Sequence, residues 1–82
     1  MSGAGLHSTP QLDLRGLDPP EPMRRALEAV EALGLAEAVE IITDREPLLL
    51  HRELARREHP YLCEKEPDGF RTTVRCRRED AS

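Results

Sequence analysis

The chain has no Trp, one Tyr and one Phe among its 82 residues, so it lacks the aromatic platform on which single-strand nucleic-acid binders stack bases. Basic charge does not compensate. Twelve Lys+Arg stand against sixteen Asp+Glu, a formal net charge of -4, which removes the non-specific phosphate attraction that nucleic-acid modules rely on. No nucleic-acid partner is expected. No apolar run approaches the ~20 residues that cross a bilayer, and Met1 to Pro10 have neither the basic start nor the apolar stretch of a secretion signal. The expectation is therefore no membrane partner and a cytoplasmic address. Cysteine is scarce as well: Cys63 and Cys76 read as free thiols in a reducing compartment. His7, His51 and His59 have no spacing that sets two ligands on one face, and no close cysteine pair accompanies them, so no metal and no cofactor is expected.

What is present describes one small domain. At 9.3 kDa a fold hides only about 60% of the surface its unfolded chain exposes, so any site should be shallow or shared with a partner. Residues 1–10 are small, polar and aperiodic and read as a flexible N-terminal tail. Residues 11–78 form the domain, and 79–82 a flexible C-terminus. Leu12 and Leu14 alternate with Asp13 and Arg15 as in a short strand that Gly16 ends. Asp18-Pro19-Pro20-Glu21-Pro22 then forms a rigid helix entry. Met23, Ala26, Leu27, Val30 and Leu33 recur on one helical face, Arg24 is spaced to pair with Glu28, and Gly34 suits the left-handed residue past the end.

Val39 to Thr43 is β-branched and predicts an interior strand. Asp44-Arg45-Glu46-Pro47 repeats the acidic, proline-bearing turn and starts a helix over Leu48 to Arg57, with Leu50 and Leu54 on one face and His59-Pro60 as its stop. Tyr61 to Glu66 and Phe70 to Arg77 flank Pro67-Asp68-Gly69 as a hairpin. A turn centred on Asp68 and Gly69 sets Glu66 opposite Arg71, Cys63 opposite Val74 and Tyr61 opposite Cys76. The two cysteines are then diagonal neighbours, too far apart for a disulfide. Right-handed crossovers place both helices on one face of the sheet. The expected fold is an α/β two-layer sandwich, β-α-β-α-β-β, with a four-stranded mixed sheet.

Asp13-Leu14-Arg15-Gly16-Leu17-Asp18-Pro19-Pro20-Glu21-Pro22 before an amphipathic helix resembles the opening signature of the TusA/SirA-like sulfur carriers. That signature runs Asp, two residues, Gly, Leu, one residue, then Cys-Pro-x-Pro. The resemblance covers about residues 11–77, with Glu46-Pro47 similar to the family's second helix start. It implies the same sandwich fold. At the position of the sulfur-carrying cysteine this chain has Pro19, which excludes persulfide chemistry there. Pro-Pro in place of Cys-Pro is most similar to a bacterial branch known as a domain of unknown function. The resemblance implies a context of hemerythrin-like domains and nitrogen-oxide genes, although Arg45 stands where that branch suggests a histidine.

Asp13, Asp18, Glu21, Asp44 and Glu46 sit at strand ends and helix starts, where capping is the expected role. So few aromatics offer little concave apolar surface for catalysis. Arg52, Arg56, Arg57, Arg71, Arg75 and Arg77 interleave with acids and read as solvated faces. The function expected is a non-enzymatic accessory or protein-interaction module with a protein partner. Its surface is Arg15, Asp18, Pro19, Pro20, Glu21, Arg45 and Glu46, because loops at the ends of parallel strands carry the sites of open α/β sheets. One alternative is sulfur transfer on a relocated thiol, Cys63, whose strand the resemblance to the carriers implies to be an edge. The other is a heme- or metal-linked ligand-binding module.

Overall fold

Alternating Leu12 and Leu14 against Asp13 make the first strand one-sided, and a computed structural model, which describes residues 9–77, places it at a sheet edge. The elements are β1 (Gln11–Asp13), α1 (Glu21–Glu31), β2 (Ala38–Thr43), α2 (Leu48–Arg56), β3 (Tyr61–Glu66) and β4 (Gly69–Arg75). The sheet order is β1-β2-β4-β3, with β1 parallel to β2 and the other pairs antiparallel. This is the expected β-α-β-α-β-β fold with an interior second strand. The tails expected at 1–10 and 79–82 lie outside the described residues, apart from Thr9 and Pro10. Pro10 is tied to the sheet, its carbonyl accepting the Glu40 N–H at 2.9 Å.

Side-chain alternation decides what the helices cover. Leu12 and Leu14, then Val39 and Ile41, then Thr72 and Val74 turn to one side. There they meet Ala26 and Val30 of α1 and Leu50 and Leu54 of α2. Met23, Leu27 and Leu33 pack partly buried against this core, so the expected apolar face of α1 is the one it uses. His51 is buried on α2, its Nε2 3.1 Å from the Thr72 hydroxyl and its ring stacked on Tyr61 at 4.8 Å. His59 is buried too, with Nδ1 3.1 Å from the Arg75 carbonyl. The opposite sheet face carries Glu40, Glu64, Glu66 and Arg71, the Arg71 guanidinium meeting Glu66 at 2.7 Å.

Three local expectations need correction. The hairpin is tighter than expected: Glu66 pairs with Gly69, Cys63 with Thr72 and Tyr61 with Val74. Only Pro67 and Asp68 lie between the strands. The slip is an even number of residues, so every side chain keeps its face. Gly69 (φ 152) makes the tight turn possible, because a Cβ there would run into the backbone carbonyl of Thr43 on β2. The cysteines move farther apart than expected, and both are free.

Gly34 is not the left-handed residue after α1. That conformation falls on Ala36 (φ 69), while Gly34 donates its N–H to the Glu37 carboxylate at 2.6 Å. α2 ends in a Schellman turn on Glu58 (φ 65), with the Glu58 N–H bonded to the Ala55 carbonyl and the His59 N–H to the Leu54 carbonyl. Finally, the carboxylates do not cap. Pro20 and Pro47 occupy the N-cap positions, and neither helix has a side-chain cap.

Candidate functional site

Because β1 and β2 are parallel neighbours, the loops that follow them leave the same end of the sheet side by side. Each enters a helix through proline. Two hydrogen bonds hold the loops in place: the Gly16 N–H donates to Asp44 Oδ2 at 2.8 Å, and the Thr43 hydroxyl donates to the Arg45 carbonyl at 2.8 Å. Gly16 (φ 83) supplies the turn that brings its N–H round.

Between the loops lies an apolar recess of about 390 Å³. Leu14 and Leu50 belong to the core and form its base. Pro19, Pro20, Pro22 and Met23 make one wall; Pro47, Leu48 and Leu49 make the other. Beside it a more polar space of about 450 Å³ shares Pro19, Pro22 and Pro47 and is bordered by Gly16, Asp18 and Asp44. Leu48 and Leu49 remain 61% and 64% exposed at the rim.

Five of the expected surface residues come together here. Pro19, Pro20, Arg45 and Glu46 border the apolar recess, and Asp18 borders the polar space. The other two do not. Arg15 is drawn to the hairpin side, bonded to Asp13 at 2.7 Å and Asp68 at 3.1 Å. Glu21 turns along its helix to Arg24 and Arg25, at 2.8 and 3.0 Å. Cys63 lies on β3, separated from β2 by β4, and is half-buried opposite Thr72.

The apolar recess itself corrects the expectation of little concave apolar surface, since proline and aliphatic side chains do the lining that aromatics were expected to do. Leu48 and Leu49 were missed as site residues. Their signal is the run Leu48-Leu49-Leu50, of which the core face of α2 can take only one.

The chemistry available in the recess is limited by its lining. Among the described residues no cysteine, histidine or serine borders it, and the Thr43 hydroxyl is committed to the Arg45 carbonyl. Neither helix start offers a thiol, and Pro20 at the N-cap and Pro22 in the first turn remove N–H donors from the start of α1. The perturbed titrating groups lie outside the lining of the recess. Hydrogen bonds from the Arg15 side chain and backbone hold Asp13 at about 2, and burial pushes the His51 imidazole down, with Glu46 pulling weakly the other way.

Among the described residues no three His, Cys, Asp or Glu side chains gather as a metal site. His7 lies outside them, and His51 and His59 are held by Thr72 and Arg75. No described helix is long and apolar enough to cross a membrane. Neither a curated protein nor a solved structure matches the chain. Residues 11–77, which carry both loops and every wall of the recess, match the family model described as "Uncharacterized conserved protein (DUF2249)", and the chain belongs to that family.

Proposed function

We propose that this chain is a non-enzymatic protein-interaction module of a bacterial cytoplasm, and that the recess between its two proline turns is the docking surface. The observation that carries the reading is an apolar cavity of about 390 Å³ bordered by exposed Leu48 and Leu49 and, among the described residues, by no thiol, imidazole or uncommitted hydroxyl. An exposed apolar patch beside a concave surface favours association over chemistry. The position at the ends of β1 and β2 supports it, since open α/β sheets put ligands there.

The same reading makes the fold a TusA/SirA-like carrier scaffold without its cargo chemistry. Pro19 stands at the helix entry where a carrier thiolate would gain from the helix dipole. Cys63, on a strand, has no such dipole, which argues against a relocated thiol.

Amide shift mapping tests the proposal. Labelled protein titrated with fractions of a bacterial extract should show perturbations gathered on Leu14, Met23, Leu48 and Leu49, and these should vanish in Leu49→Asp. Perturbations confined to β3, or unchanged in that variant, would refute the assignment.

A further inference from the structure

We infer that the occupant of the recess is a second copy of this chain, in a two-fold dimer that inserts Leu48 and Leu49 of each copy against the recess of the other. The inference rests on reading the recess as a docking surface and names its partner.

The first argument is shape. An isologous interface must carry its own complement, because one patch meets itself across the axis. Here a concave apolar recess and the two leucines of its own wall share one surface, with Leu48 and Leu49 mostly exposed at its rim and free to meet a second copy. The second is charge. Arg15, Arg24, Arg25, Arg56, Arg57 and Arg71 all hold carboxylates, and Arg52, Lys65, Arg75 and Arg77, which form no ion pair among the described residues, do not border the recess. Arg45 and Glu46, both exposed at the recess, form no ion pair among the described residues. They are consecutive and opposite in sign. Two copies of such a pair running antiparallel across a two-fold axis set Arg45 against the second copy's Glu46, and Glu46 against the second copy's Arg45. Asp18 adds a further acid at the adjoining polar space, which Arg45 and Glu46 also border.

The other open surfaces fit a second copy less well. The uncovered sheet face also holds Ile42 and the exposed Leu62, but sets them among Gln11, Glu40, Glu64 and Arg71, away from the recess and the polar space beside it. The free edge of β3 exposes Tyr61 and Leu62 at one end, but Glu64, Lys65 and Glu66 fill the other, a charge run of the kind that discourages edge pairing.

Sedimentation equilibrium from micromolar to millimolar concentration provides the test. The wild type is expected to dimerise reversibly. Arg45→Glu and Glu46→Arg should each weaken the dimer by about tenfold, because symmetry places two like-charge contacts in each. An equimolar mixture of the two variants should recover wild-type affinity as a heterodimer, since both opposite-sign pairs are then restored. Leu49→Asp should be monomeric with an unchanged far-ultraviolet spectrum, as its side chain is solvent-facing and an acid suits the first turn of α2.

A wild type that stays monomeric at millimolar concentration would overturn the inference. The docking reading would survive that result if recess amides still shifted with a bacterial fraction. A dimer indifferent to Leu49→Asp and to both charge reversals would overturn the inference as well, and would move self-association away from the recess.

Discussion

Replacing Gly69 with alanine should destabilise the fold through two separable effects. At φ 152 the backbone is in a region almost reserved for glycine, and holding an L-residue there costs about 1–3 kcal/mol. The added Cβ also meets the Thr43 carbonyl, which is backbone and part of the β2–β4 ladder, so the strands must part. Overpacking of that kind adds about 1–3 kcal/mol. The expected loss is about 2–6 kcal/mol, a large share of the roughly 4–12 kcal/mol available to a domain of this length.

Two other glycines separate the effects. Gly16 (φ 83) has nothing within 4 Å of a built Cβ, so Gly16→Ala should show backbone strain alone, about 1–2 kcal/mol. Gly34 lacks a positive φ, and its Cβ would meet only the Glu37 carboxylate at 3.3 Å. Gly34→Ala should be the mildest of the three. Urea unfolding followed by circular dichroism would rank them. A Gly69→Ala loss no greater than that of Gly16→Ala would refute the assigned contact with Thr43.

Glu58→Gly should stabilise the protein by about 1 kcal/mol in the same assay, because Glu58 holds the left-handed position of the Schellman turn at φ 65. Stability should fall as pH drops below about 6.5, since buried His51 has its folded-state pKa lowered and the unfolded chain takes up its proton first. His51→Gln should flatten that part of a melting-temperature profile. A second decline should begin below about pH 4.5. There Asp13, Glu21, Glu31 and Glu53, all lowered by arginine hydrogen bonds, hold fewer protons folded than unfolded. Incubation with a cysteine desulfurase and free cysteine should leave the intact mass unchanged. A transferable gain that disappears in Cys63→Ser would instead show sulfur chemistry on the β3 thiol.

Much of the candidate site was legible because its cause is local. Asp18-Pro19-Pro20-Glu21-Pro22 and Arg45-Glu46-Pro47 announce rigid helix entries by proline chemistry alone, and two parallel strands must deliver them to the same end of a sheet. Arg15 and Glu21 were assigned to the same surface by proximity in sequence and do not reach it. Their directions depend on which carboxylate or guanidinium lies nearest in space: Asp68, 53 positions from Arg15, and Arg24 and Arg25 one turn along α1.

Periodicity by itself determined the six elements, the apolar face of α1 and the alternation of faces along the hairpin strands, because a buried stripe must repeat at the spacing of its backbone. Those faces survived even where the hairpin register slipped, since side chains alternate with a period of two. Tertiary structure decided what no short segment encodes. The tight register depends on Gly69 meeting Thr43 across β2 and β4. The left-handed positions went to Ala36 and Glu58 in place of Gly34, because the chain had to reach β2 and β3. The recess exists only where two proline walls, separated by 27 positions at Pro20 and Pro47, are held face to face by parallel strands and by Asp44 on the Gly16 amide. An apolar concavity belongs to the gap between elements, so its residues are written in the sequence but its volume is not.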